Sequence, residues 1–409
     1  MVFAADLNHH LADTVRSALP EPLNLGTHLV LRVAKASSSI SSPAAVAAFV
    51  TEAIHPLFPT RYLPQIVPVA VNAEFLAALD AESRTVRPEA RSGSAIDTTQ
   101  AVAILAPDYT RPIDGVGPTL CFEVKPKWLF VPDNDGDGSE CSRPNQPGRT
   151  TTTNNITACR YCMHQHYKVA RSESPGVSPF CPLDLLHADT VEHAVAALMA
   201  CPGNNLRAWV DGTVLDLESL SSNDGALLHP WRRSADDNEM VMTSVLTRTL
   251  HALVPLFNLL AHHQRSLDSF DMADVERRYA EVAMYDNNVW ERVVRQYRDR
   301  IDRETAAPEA EVEEASAQQV VAEYVLSMTV KDCSVLITVG APQSQPHDLD
   351  DRGNVMVALD DGKCAVMQAT LLDLDPKQFG KVPAWARLDR AIRACFAGVL
   401  RAREEVLPK

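Results

Sequence analysis

Alternation of apolar and polar positions marks the first strands of the chain. Residues 28–35 place Leu29, Leu31 and Val33 on one face and Arg32 on the other, and residues 65–71 alternate likewise. A period of two predicts half-buried strands. Residues 101–105 are continuously apolar and lead into Pro107-Asp108-Tyr109. In residues 121–130 the alternation carries charge: Glu123, Lys125 and Lys127 fall on one face, Phe122 and Val124 on the other. Pro126 cannot donate to a ladder, so the Lys127 end is expected at a sheet edge or beyond it. Residues 333–339 read as a buried strand with Asp332 at its mouth. Residues 355–358 and 364–372 read as a hairpin around Asp360-Asp361-Gly362-Lys363. That hairpin delivers Asp373 and Asp375 together on one face.

Helical spacing governs the rest. A helix is predicted over 44–53 and another from about 190 to 201. Met242, Leu246, Leu250, Leu253, Phe257 and Leu260 predict one long buried helix. Residues 275–300 and 320–328 predict two more. A weak amphipathic helix precedes the breaker Pro20-Glu21-Pro22. Residues 132–157, rich in Asp, Gly, Ser, Asn, Pro and Thr, predict a disordered insertion.

Composition narrows the classes of function. A chain of 409 residues, 46% hydrophobic and 22% charged, suits a globular protein long enough for two domains, or for two lobes around a cleft. The opening six residues lack a basic, apolar leader pattern, and residues 246–261 are broken by His251 and Pro255. Nine cysteines form no framework, which suits reduced thiols and a cytoplasmic or nuclear location. The net charge of −15 argues against nucleic acid and membrane surfaces as partners, and a monomer is expected. The acidic residues gather at 133–140, 236–239 and 309–314, which read as solvated loops.

Candidate chemistry lies in five places. Two ammonium groups as close as Lys125 and Lys127 repel unless an anion such as phosphate sits between them; otherwise they line a half-exposed strand. Asn204-Asn205-Leu206-Arg207 can read phosphate oxygens, or can simply form a turn after Gly203. Asp332 suits a proton acceptor or a cap. Asp373 with Asp375 is the carboxylate pair that magnesium on a triphosphate requires. Cys159, Cys162, His164 and His166 suggest zinc, although four ligands within eight residues are cramped and a helix opening near Met163 is the alternative. A calcium loop at Asp133-Asn134-Asp135-Gly136 is rejected, because its twelfth position is Pro144.

Five segments stand in one order: Glu123-Val124-Lys125-Pro126-Lys127, Cys159 to His166, Asn204 to Arg207, Lys331-Asp332-Cys333-Ser334, and Leu372 to Lys377. Together they resemble the motifs of the inositol-pentakisphosphate 2-kinases, from roughly Arg87 onward. The resemblance implies a two-lobed α+β kinase-like fold. Residues 1–108 would form a nucleotide-side lobe around a small sheet, and 109–409 a larger mixed lobe with the inositol-phosphate site. It implies ATP and Mg2+ as cofactors. The reaction would phosphorylate the 2-hydroxyl of inositol 1,3,4,5,6-pentakisphosphate to give inositol hexakisphosphate (phytate).

The implied roles follow position by position. Asp332 is the catalytic base and Lys125 the nucleotide-phosphate contact. Arg32, Glu123 and the backbone at Asp108 serve the nucleotide side, and Asp373 holds magnesium. Arg91, Lys127, Asn204, Asn205, Arg207, Lys377, Lys381 and Trp385 contact the inositol phosphate. The family has Arg and Tyr where this chain has Lys381 and Trp385. Plant relatives carry a later Cys/His zinc site, and residues 283–294 here have no cysteine. The family's Gly-rich phosphate-covering loop is answered only by Leu23-Asn24-Leu25-Gly26, with one glycine. Two other readings therefore stand beside the kinase. One is a catalytically weak or inactive inositol-phosphate-binding protein, the other a kinase for a less phosphorylated metabolite.

Overall fold

The structure, a computed structural model, describes residues 2–3, 28–36, 42–87, 89, 93–111, 117–131, 158–218, 228–231, 238–282, 289–306, 315–343, 355–359 and 362–404. The helix expected before Pro20, the Leu23–Gly26 turn, Arg91, the 132–157 insertion, the 309–314 acidic run and the turn residues Asp360 and Asp361 lie outside the described residues. Ten strands and ten α-helices lie among them, a mixed α+β architecture.

The first sheet is antiparallel and has four strands. β1 (Val2–Phe3), β2 (Leu29–Arg32), β3 (Val67–Ala70) and β4 (Val102–Pro107) stand in the order β1-β2-β4-β3. The strand expected over 28–35 is shorter, ending at Arg32. Its apolar face packs with Val67, Val69, Ala103 and Leu105 into a small core that Leu76 covers. Helix α1 (Pro43–Phe49) continues into a π-type turn over Val50–Ile54. Leu76 comes from α2 (Ala73–Val86), which starts where the Asn72 side chain accepts the Phe75 N–H at 2.8 Å. Residues 49–63 lie between β2 and β3 in sequence yet pack into the larger core, with Phe49 edge-on to Trp290 at 5.0 Å.

The second sheet has six antiparallel strands in the order β7-β6-β5-β8-β10-β9. They are β5 (Thr119–Val124), β6 (Leu206–Val210), β7 (Thr213–Leu215), β8 (Ser334–Gly340), β9 (Val355–Ala358) and β10 (Cys364–Leu372). β6 and β7 turn at Asp211-Gly212, both with φ above zero, a two-residue hairpin that favours Asp-Gly. At φ 82° Gly212 holds a backbone conformation that other residues adopt only with strain, and a Cβ there would also displace the Arg111 side chain.

β5 corrects one expectation. It ends at Val124 instead of running to Phe130, because Pro126 offers no donor and Lys127 turns into the left-handed region at φ 58°. Val124 pairs with Leu206 and Val335, and Leu372 pairs with Ser334. β5 and β10 therefore end where β6 and β8 begin. Four of the five chemistry-bearing segments emerge at that single end of the sheet.

Eight helices share the larger core with this sheet: α3 (Arg160–Ala170), α4 (Val191–Ala200), α5 (Asn238–Ala252), α6 (Val254–Leu267), α7 (Met272–Glu281), α8 (Trp290–Ala306), α9 (Ala317–Asp332) and α10 (Val382–Glu404). The single helix expected over 242–260 is two, bent by 58° where Pro255 removes a donor in the first turn of α6. The helix expected over 275–300 is also two, α7 and α8, since Val282 is already extended. Among the described residues no single helix is long and apolar enough to cross a membrane. α9 is buried along nearly its whole length.

His263 ties these helices together. One ring nitrogen lies 2.8 Å from the Leu57 carbonyl and the other 2.9 Å from the Tyr297 hydroxyl. A neutral imidazole satisfies both, donating to Leu57 and accepting from Tyr297. Burial pushes its pKa from 6.5 down to about 4. The unfolded chain therefore binds the extra proton between those values. Stability from His263 is complete above pH 6.5 and is lost as pH falls toward 4, on the order of 3 kcal/mol over the window. Urea unfolding at pH 7 and pH 5 is expected to find a smaller acid loss in His263→Gln than in the unaltered chain. Equal losses would assign the acid sensitivity to other groups.

Candidate active site

At the shared sheet end, four polar side chains from three strands meet. Lys125 Nζ lies 2.8 Å from Asp373 Oδ2 and 3.5 Å from Glu123 Oε1. The Ser334 hydroxyl is 2.7 Å from Glu123 and 3.0 Å from Asp373. Asp373 adopts φ 60° just after β10, a conformation a non-glycine residue holds only when its surroundings enforce it. Burial favours the neutral carboxyl of Asp373, but the Lys125 ammonium, the Ser334 hydroxyl and Arg32 together hold it below the usual range. Burial likewise works against the charge on Lys125, but its bond to Asp373 together with the charges of Asp373, Glu123 and Asp332 outweighs that and raises its pKa.

Arg32 reaches across from the four-stranded sheet to pair with Asp375. The backbone carbonyl of Asp375 accepts from Thr329 at 3.0 Å, while its Oδ1 is buried with no hydrogen-bond partner. An orphaned carboxylate oxygen is costly and asks for a cation. Hard oxygens from Asp373 and Asp375 on one loop are the donor set magnesium prefers, so the residues present fit that ion.

The second cluster surrounds Asp332. Its carboxylate is 2.5 Å from Lys377 Nζ and 3.7 Å from Lys127 Nζ, and its side chain is 54% exposed. Asp332 is the last residue of α9, where the helix dipole disfavours an anion. Two ammonium groups offset that cost. Lys127 is pulled below its ordinary pKa by burial, with Asp332 opposing the shift.

Beside Asp332 opens a cavity of about 370 Å³. It is lined by Lys127, Arg160, Lys168, Lys331, Lys377 and Lys381 against only Asp332 and Asp389, with Trp128, Tyr161, His164, Tyr324 and Trp385 among the uncharged groups. A basic bowl thus sits on an acidic chain. Among the described residues Lys168 and Lys381 make no ion pair, so their charges remain open to a ligand. Burial, followed by Lys168 and Arg160, pushes the His164 pKa down to about 4, so the ring is neutral near pH 7.

The remaining expected site residues stand elsewhere. Asn205 is buried: its carbonyl accepts the Lys125 N–H at 3.0 Å and its amide donates to the Tyr161 hydroxyl, so it braces the site from behind. Arg207 lies opposite Glu123 across the β5–β6 ladder and is exposed, as is Asn204; neither lines the cavity. Asp108 has its N–H on the His28 carbonyl and its C=O on the Arg111 N–H, so both backbone groups are engaged. Its carboxylate accepts from Thr110. Arg160 and Lys168 line the cavity outside the expected site residues, and His164 was expected only as a zinc ligand. They recur every four positions on α3, a helical stripe that was legible but was read as zinc ligands and a helix opening.

The family model for inositol-pentakisphosphate 2-kinase matches residues 1–391. This chain belongs to the inositol-pentakisphosphate 2-kinase family. An inositol-pentakisphosphate 2-kinase of Danio rerio is 30% identical over 181 residues, covering 43% of this chain and 34% of that protein. One from Arabidopsis thaliana is 23% identical over 361 residues, 84% of this chain and 75% of its own length. One from Oryza sativa subsp. japonica is 24% identical over 341 residues, 80% and 72% respectively. In this inositol-pentakisphosphate 2-kinase family member, Lys381 and Trp385 stand in the cavity wall, Trp385 edge-on to Tyr324 at 6.0 Å.

Proposed function

We propose that this chain transfers the γ-phosphoryl group of ATP to the 2-hydroxyl of inositol 1,3,4,5,6-pentakisphosphate. The observation that carries the reading is Asp332, a carboxylate at the mouth of a basic cavity and at the same sheet end as the Lys125–Asp373 pair. Two lobes divide the work. The four-stranded sheet with the chain up to residue 108 forms the nucleotide-side lobe, and residues 109–409 carry the inositol-phosphate site and face the nucleotide with Lys125, Asp373 and Asp375. Residues 49–63 are packed into the larger core and Arg32–Asp375 links the two sheets.

Phosphoryl transfer needs positioning and charge neutralisation more than covalent help. Lys125 neutralises nucleotide phosphate oxygens, and Arg32 does the same from the small sheet. Asp373 and Asp375 would hold the magnesium ion, which would supply positive charge against the triphosphate. Substrate phosphates attract Lys127 and Lys377 away from Asp332. The carboxylate is then open to accept the proton of the attacking hydroxyl, as that oxygen bonds to phosphorus and ADP leaves. Lys168 and Lys381 receive further phosphates, and Trp385 closes the wall.

Incubation of the purified chain with ATP, Mg2+ and inositol pentakisphosphate is expected to yield one ADP per hexakisphosphate formed. Tight inositol-phosphate binding without transfer at saturating ATP would favour a binding protein. Transfer to less phosphorylated inositols alone would favour the smaller-substrate kinase. Lys168→Ala is expected to weaken inositol-phosphate binding by about tenfold, the loss of one charge-assisted contact worth about 1.5 kcal/mol. Affinity should also fall steeply between low and moderate salt, because screening reaches about 10 Å at 0.1 M. A salt-independent isotherm would contradict a basic bowl.

A further inference from the structure

We infer that Gln264 is a positioning residue for phosphoryl transfer: its side-chain amide clasps the Lys127 turn to the end of α9 and so sets Lys127 against Asp332. The inference rests on the roles proposed above for those two residues. Gln264 stands in the last turn of α6 and is completely buried. Its Oε1 accepts the Leu129 N–H at 2.7 Å, while its Nε2 donates to the Lys127 carbonyl at 2.9 Å and to the Val330 carbonyl at 3.3 Å. A primary amide has two donor hydrogens, and both are spent here. Only this orientation fits, because the amide turned over would set a nitrogen against an N–H and an oxygen against two carbonyls.

Each of the three backbone groups needs a partner from outside its own element. β5 ends at Val124, so Lys127 and the buried Leu129 stand beyond its ladder. Val330 lies in the final turn of α9, where carbonyls have no intrahelical donor. The Cys333 thiol, at 3.1 Å, adds a second and weaker bond to that carbonyl. Lys127 holds φ 58°, a conformation that persists in a lysine only where its surroundings enforce it. The clasp supplies that enforcement by gripping the chain on either side of Trp128. Asp332 follows Val330 by two residues. One side chain thus joins the turn carrying the substrate-facing ammonium to the helix end carrying the proton acceptor, and Lys127 Nζ stands 3.7 Å from Asp332 Oδ1. His263, the preceding residue, fastens α6 to Leu57 and Tyr297, so the clasp sits on a fixed support. The Lys125–Asp373 pair is held instead by Ser334 and by the Asn205 carbonyl on the Lys125 N–H, which leaves the nucleotide side independent of Gln264.

Gln264→Met removes all three bonds with a side chain of similar length, and Gln264→Glu keeps the bond from Leu129 but turns an acceptor toward the two carbonyls. Both variants are expected to weaken inositol pentakisphosphate binding by about tenfold and to slow single-turnover transfer by up to about 100-fold, the scale of a misplacement of about 1 Å. Affinity for a non-hydrolysable ATP analogue should not change. Because the effect runs through Lys127, Gln264→Met made in a Lys127→Ala background should cost less than about threefold in binding. Fully additive losses in that double variant, or nucleotide affinity falling in step, would reduce Gln264 to a structural brace and overturn the inference. Hydrogen exchange reads the clasp without any ligand: both variants should exchange faster over residues 127–131 and unchanged over 364–372. In the unaltered chain the Leu129 amide is expected to exchange at least about 100-fold more slowly than an unprotected one. Rapid exchange there would overturn the clasp even if both variants fail to fold. A protected Leu129 in an unaltered chain that binds no inositol pentakisphosphate would overturn the proposed function, and this role with it.

Discussion

Asp332→Asn is expected to reduce phosphoryl transfer by about 10²–10⁴-fold while leaving inositol-phosphate affinity intact or improved. The amide preserves shape and can still accept a hydrogen bond from Lys377, now 2.5 Å from the carboxylate. It cannot take the hydroxyl proton. It also removes the one anion that occupies Lys127 and Lys377 before substrate arrives, so both ammonium groups become available at lower cost. The split between rate and binding separates this role from a structural one, which would weaken both together. Single-turnover transfer and a calorimetric isotherm on the same preparation measure the two quantities. Turnover retained within a factor of ten, or binding weakened in step with rate, would remove Asp332 from the proton-accepting role.

Lys331→Met is expected to destabilise the fold by about 3–5 kcal/mol, the cost of removing one member of a buried ion pair. Lys331 is essentially inaccessible. Its ammonium lies 2.5 Å from Asp268, 2.9 Å from Ser327 and 4.0 Å from the Trp128 ring centre, with Phe130 and Tyr324 near 5 Å. Burial pulls its pKa below the usual value while Asp268 opposes that shift. Removing the cation takes the ammonium from the Asp268 carboxylate, whose side chain is only 9% exposed. Lys331→Met combined with Asp268→Leu should recover much of the loss, because the buried charge goes too. Urea unfolding of the single and double variants decides it; a single-variant change below 1 kcal/mol would mean that water reaches Asp268.

Which features could be read in the sequence depended on whether their cause was local. The alternation around Leu29, the charged ladder at Glu123 and Lys125, and the hairpin before Asp373 each follow from period and turn chemistry within ten residues, and strands stand there. Lys127 was placed on the strand face by the same period, but Pro126 and a left-handed backbone carry it toward Asp332 instead. Pro255 bends the long apolar helix because a missing donor outweighs a continuous apolar stripe. The cavity wall was illegible for a different reason. Arg160 and Lys168 gain meaning only when α3 packs against α10, and Cys181 joins Cys159 only through tertiary contact. Asn205 was read as a ligand because an amide at a turn can face either way; here it faces the Tyr161 hydroxyl.

The partners that define the site are far apart along the chain. Lys125 and Asp373 are separated by 248 positions, and Arg32 and Asp375 by 343. At a synthesis rate of about 5–20 residues per second, roughly 12 to 50 s pass between making Lys125 and making its partner. Until β8 and then β10 are made, the end of β5 displays Glu123 and Lys125 without the neighbours that later satisfy them. A nascent chain released before residue 373 lacks Asp373 and Asp375 and so has no competent cleft. Ligand binding therefore reports on complete chains and is blind to partly made ones, which makes an inositol-phosphate affinity resin a selective way to isolate the finished molecule.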